Sequence, residues 1–176
     1  MATRPTTQKT LLHTKLFEVE EIELELPNHE KHPYQLIRHA DSVTILPVDE
    51  LGCIHWVRQY RVGAEMELLE LPAGVMDAGE SPLACAQREV QEEIGMKAAE
   101  LLLLGSYYLA PGYCSEINHA FLARGLSQSH LSMDEDEFIE IQLLSVEDSY
   151  QMAQEGKIKD AKSLAALLLA RHILSS

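Results

Sequence analysis

Three glutamates, Glu89, Glu92 and Glu93, stand at i, i+3 and i+4, a spacing that sets their carboxylates on one face of a helix. Carboxylates held this close repel one another unless a cation joins them, and clustered hard oxygens suit Mg²⁺ or Mn²⁺. The chemistry indicated is metal-assisted. Arg88 precedes them and is an i, i+4 partner of Glu92, a pair worth a few tenths of a kcal/mol. Its better use is to orient a ligand carboxylate.

The elements that carry these residues are legible around them. Ser81 suits an N-cap and Pro82 the first helical position; Leu83 to Ile94 contains no Gly or Pro, and Gly95 closes the helix. Leu83, Ala86, Val90 and Ile94 fall on the opposite side and are expected to pack inward. Before the helix, Gly74 and Glu80 bracket five residues of loop. Three glutamates alone would suit a solvated acidic face equally well, but such a face leaves the loop and its glycines unexplained.

The whole stretch from Gly74 to Met96, GVMDAGESPLACAQREVQEEIGM, resembles the Nudix box, G-x5-E-x7-R-E-U-x-E-E-x-G-U, where U is a bulky aliphatic residue. Every fixed position matches, with Met96 a mild departure at the last one. The resemblance implies an α/β fold, an α/β/α sandwich with a mixed sheet, over residues 41–176. Residues 1–40 resemble the additional N-terminal β strands of the ADP-ribose pyrophosphatase branch, which commonly build a homodimer. It also implies that Glu89, Glu92, Glu93 and the Ala73 carbonyl hold the metal, with Glu80 and Arg88 orienting the helix.

Alternation of apolar and polar residues predicts strands over 15–26, 32–39, 42–48, 53–62, 99–109 and 118–126, and residues 133–145 read as an acidic loop running into a strand. The 99–109 strand is expected to bend at Gly105, and residues 1–10 to fray. Helices are expected over 146–155 and 160–173, the second burying Leu164, Leu167, Leu168 and Ile173. This order of strands, helix, strands and helices suits a mixed sheet covered on both faces. Trp56, within a strand, reads as core.

Three further segments narrow the chemistry. VRQYR (57–61) carries Arg58 and Arg61, which a regular strand places on opposite faces; Arg suits bidentate phosphate binding. The stretch resembles its counterpart in nucleoside diphosphate sugar pyrophosphatases, with Arg61 the expected substrate contact beside Arg58 and Gly74. APGYCSE (110–116) resembles the proline loop of ADP-ribose pyrophosphatases, in which Glu116 matches a residue near the terminal ribose. MDEDEF (133–138) reads most simply as a solvated acidic loop. It also resembles the catalytic loop of those enzymes, which assigns Glu135 as general base and Glu137 as a further metal contact.

A net charge of −14, from 14 basic and 28 acidic residues, argues against nucleic acid and anionic membranes as partners. It would repel an anionic substrate as well, unless a divalent metal screens the site. The three cysteines lack metal-ligand spacing and suit reduced thiols in a cytoplasmic protein. No apolar run reaches membrane-spanning length. The resulting expectation is a hydrolase of nucleotide sugars that depends on Mg²⁺, with Mn²⁺ the alternative ion, and has ADP-ribose as the leading substrate. GDP-mannose or another nucleotide sugar is the alternative substrate, and a non-catalytic ADP-ribose sensor the alternative class.

Overall fold

From Pro5 onward the polar N-terminal stretch does not fray. In the structure, a computed structural model that describes residues 5–129, 131 and 138–174, Pro5–His13 forms strand β1. It pairs antiparallel with β2 (Phe17–Glu25), which pairs with β3 (Lys31–His39). Exposed as β1 is, it is held by its ladder and by side chains across it: Thr6 donates to Glu23 at 2.9 Å and Gln8 to Glu20 at 2.6 Å. Glu20 is buried because Arg38 donates to it from the other side at 2.7 Å. The chain divides into two units, and these strands, with residues 108–117, make up the first. There Ile37 exchanges backbone bonds with Tyr113 and Ser115, which ties the proline-loop segment to β3.

The second unit, residues 42–107 and 118–176, contains two sheets. In one, β4 (Ser42–Pro47) runs parallel to β9 (Ile117–Gln128) and antiparallel to β7 (Ala73–Val75), in the order β7-β4-β9-β8 with β8 as Met96–Tyr108. In the other, β5 (Cys53–Arg61) is central, flanked antiparallel by β6 (Met66–Glu70) and β10 (Glu140–Ser145). Helix α1 (Pro82–Glu93) contacts β4 and β7; α3 (Ala161–Leu174) also contacts β4, and α2 (Val146–Gln154) lies on β5 and β10. Val43 and Ile45 of β4 join the cluster containing Cys85, Ala86 and Val90, whereas Leu46 joins the one containing Ala166, Leu167 and Ala170. Alternate residues of one strand therefore feed two cores, and the mixed sheet has helices on both faces. Trp56 is fully buried, its indole N–H donating to Ser149 Oγ at 3.0 Å.

Two helix stripes differ from the sequence expectation. Leu83 is 54% exposed, and Cys85 takes the inward place beside Ala86 and Val90. The helix is turned so that Glu89 and Glu93 are drawn under it. Leu168 is 68% exposed; Ser163, Ala166, Leu167 and Ala170 form the buried stripe of α3 at helical spacing, which cannot admit Leu168 as well. β8 runs unbroken through Gly105, whose missing side chain leaves room for Leu169, 3.2 Å from where a Cβ would stand.

Candidate active site

Helix α1 begins where Ser81 Oγ accepts the Ala84 N–H at 3.2 Å and Pro82 supplies a first-turn residue with no orphan donor. It ends as Gly95 turns left-handed at φ 67°. Between these caps Glu89 and Glu93 are 7% and 3% exposed. Burial of a carboxylate requires partners. Glu93 Oε2 accepts the Ala73 N–H at 3.1 Å, and Glu89 lies against Gly74, where any Cβ would overlap its carboxylate. Gly74 is required because the helix approaches that closely.

Arg88 joins the rest. Its guanidinium binds both Glu80 oxygens at 3.1 and 3.0 Å, Glu89 at 2.7 Å, Glu92 at 2.8 Å and the Val75 carbonyl at 3.2 Å. The bonds from Arg88 hold the Glu80 carboxyl below the ordinary range, and Glu80 in turn leads the upward shift of Arg88. Glu80 also accepts the Asp77 N–H at 3.0 Å, which closes the loop.

Ala73 sits opposite Thr44, next to a pair in which Ile45 N–H donates to the Pro72 carbonyl at 2.8 Å. Antiparallel pairs alternate between bonded and non-bonded, so the N–H and carbonyl of Ala73 turn away from β4. The N–H is on Glu93, and the carbonyl opens to the same side.

On β5, Arg61 and Val57 share a face, and Val57 belongs to the core cluster of α1. Arg61 donates through Nε and Nη2 to one oxygen of Glu70, at 2.9 and 2.6 Å. Burial works against the Arg61 charge, but its bonds to Glu70 and the charges of Glu70, Glu93 and Asp160 leave its pKa raised. Arg58 points to the other face, where it donates to Gln142 at 3.1 Å. Glu70, 1% exposed, was not singled out from the sequence; its signal is an acid between apolar neighbours in LELP. In the first unit, Glu116 lies 3.8 Å from His39. Glu135 and Glu137 lie outside the described residues.

The structure thus brings together Ala73, Gly74, Glu80, Arg88, Glu89, Glu92 and Glu93, with Arg61 on the face toward Glu93. Among the described residues no three acidic, imidazole or thiol groups converge on one point as arranged here: Glu89 and Glu92 face Arg88, and Glu93 faces Ala73. The donor set still fits a small hard cation. Three carboxylates share one guanidinium, and a fourth, Glu93, stands beside a carbonyl that β4 leaves unpaired in its ladder.

Residues 38–167 match the NUDIX domain. The chain belongs to that family. It is 34% identical to an ADP-ribose pyrophosphatase of Bacillus subtilis (strain 168), over 91% of this chain and 90% of the relative. To a methanol dehydrogenase activator of Bacillus methanolicus it is 33% identical, over 82% and 80%. A crystal structure of an ADP compounds hydrolase superposes with a TM-score of 0.90 at 28% identity, covering 99% of this chain and 95% of that one. Nudix proteins generally use divalent metal ions, and this chain's box carries the full carboxylate set.

Proposed function

We propose that this Nudix protein hydrolyses the diphosphate bond of nucleoside diphosphate sugars, with ADP-ribose, cleaved to AMP and ribose 5-phosphate, as its main substrate. The observation that carries the reading is the Ala73–Glu93 bond. It brings a backbone carbonyl, three glutamates and their organising arginine to one place. Glu89, Glu92, Glu93 and the Ala73 carbonyl would hold Mg²⁺, with Glu137 as a further contact. When bound, the cation neutralises the diphosphate and lowers the pKa of a water. Arg61, set in place by Glu70, binds the diphosphate beside Gly74. Arg88 and Glu80 keep the glutamate face in register. Glu116 receives the terminal ribose. Glu135 takes the proton of the attacking water, since a carboxylate that ligates metal is a poor base.

A sensor that bound ADP-ribose without cleaving it would have no use for all three ligand glutamates, which favours catalysis. We place the protein in the cytoplasm; among the described residues no helix is long and apolar enough to cross a membrane, and Cys53, Cys85 and Cys114 are free thiols. A panel of nucleotide sugars with Mg²⁺, read as released nucleoside monophosphate, tests the activity. ADP-ribose should exceed GDP-mannose in kcat/KM; the reverse order would reassign the substrate, and no release from any of them would remove the hydrolase reading.

A further inference from the structure

Five consecutive residues, Glu70 to Gly74, are each held by a different group. Glu70 grips Arg61, and the Leu71 N–H donates to Ser163 Oγ at 2.8 Å. The Pro72 carbonyl accepts from Ile45, the Ala73 N–H donates to Glu93, and Gly74 lies under Glu89. Four of these anchors sit on β4, β5 or α1, the elements that carry or adjoin the carboxylate cluster. The remaining one, Ser163, is on α3, which supplies none of those carboxylates.

Ser163 is fully buried and Asp160 nearly so. Asp160 Oδ2 accepts both the Ser163 N–H, at 2.9 Å, and its hydroxyl, at 2.7 Å, while Oδ1 accepts Lys162 Nζ at 2.8 Å. The hydroxyl proton is thereby committed to Asp160, which leaves the oxygen to accept from Leu71. A charged acceptor at the end of such a chain shortens and strengthens it. Burial raises the Asp160 pKa, but the Lys162 charge and the bonds from Lys162 and Ser163 outweigh it and keep the carboxyl below the ordinary range. The effect is transmitted over a short distance. Pro72 has a fixed φ, so once the Leu71 N–H and the Pro72 carbonyl are both anchored, little freedom remains in where the Ala73 carbonyl points.

We propose that Asp160 and Ser163 are positioning residues for the Ala73 carbonyl, holding it where it shares a divalent cation with Glu89, Glu92 and Glu93. The inference rests on the reading of Ala73 as a metal ligand. Direct Mn²⁺ binding without substrate, followed by the electron paramagnetic resonance of free Mn²⁺, tests it together with the melting temperature and the Mg²⁺ dependence of hydrolysis. Ser163→Ala should weaken Mn²⁺ binding by about tenfold, the lower end of losses seen when a ligand's support is removed. The Mg²⁺ concentration at half-maximal rate should rise in step, with most of kcat restored at saturation. Asp160→Asn should shift both in the same direction by less, since it keeps an acceptor and loses the charge. Ser163→Thr, which keeps the hydroxyl, should return affinity toward wild type.

A lower melting temperature with unchanged Mn²⁺ affinity in Ser163→Ala would mean that the pair only stabilises α3, and would overturn the proposal. Should Ser163→Ala not fold, Asp160→Asn carries the test, and wild-type affinity there overturns it equally. If the wild-type protein bound no Mn²⁺, the metal site itself would fall, and this inference with it. Wild-type binding that is lost in Glu93→Gln but intact in Ser163→Ala removes the positioning role alone.

Discussion

Glu93 serves two elements with one carboxylate: it belongs to α1 and it accepts the Ala73 N–H that begins β7. Glu93→Gln keeps an oxygen for that N–H while removing the ligand charge. The fold should therefore survive, with a melting temperature within a few degrees of wild type, while turnover falls by about a hundredfold or more. Near-full activity at saturating Mg²⁺ would refute the metal assignment. Glu80 gives a second prediction at this scale. Its carboxyl is depressed by Arg88, so the unfolded chain binds the proton more readily than the folded one. The Glu80–Arg88 contribution is complete above the ordinary carboxylate pKa and is lost as pH falls through the folded value. Melting curves from neutral pH down into the acid range should fall less steeply for Glu80→Gln than for wild type. An identical acid limb would show that the pair does not couple to folding.

Among the elements, α1 was the most legible in the sequence, because its caps, its i, i+3, i+4 acids and its preceding loop are all local features. The inward face was only partly so. Leu83 looked equivalent to Ala86 and Val90, and what turned the helix was the burial of Glu89 and Glu93 against Ala73 and Gly74. β1 was missed since its residues carry no apolar alternation; its strand character comes from the ladder with β2. Glu70 and Ser163 were illegible for a related reason, as each acquires its meaning from a partner on another element. The acidic segment before β10 is where the base is sought. Glu135→Gln should lose most of its turnover with substrate binding close to wild type, the signature of a transition-state defect. Glu137→Gln should raise the Mg²⁺ requirement instead. Normal turnover in the first and loss in the second would shift the register of the loop.

At the scale of the whole molecule, the first unit leaves Leu11, Leu12 and Tyr34 exposed on its sheet and Leu16 exposed in the turn between β1 and β2, with β1 as the outer strand among the described residues. Sheet edges tend to be paired or covered. We expect a homodimer with isologous symmetry formed through residues 1–40. Light scattering at micromolar concentration should return twice the chain mass of 19.7 kDa; a monomer mass would reject this. The fragment 41–176, lacking these strands, should lose the dimer.

The parallel pairing of β4 with β9 also sets an order of events in time. Ser42 meets Asn118 across 76 residues, and Leu71 meets Ser163 across 92. The acidic helix emerges from the ribosome long before the strand and helix that fix its neighbours. Until then β8, with Leu102 and Leu103 on its surface even in the finished fold, lacks its ladder partner β9. Chains dominated by such distant pairings fold in milliseconds to seconds. Refolding from denaturant should therefore be slow and yield more native protein at low concentration, and metal binding should appear only in the last kinetic phase. Mn²⁺ binding in an early phase would show that the helix and its loop assemble ahead of the sheet.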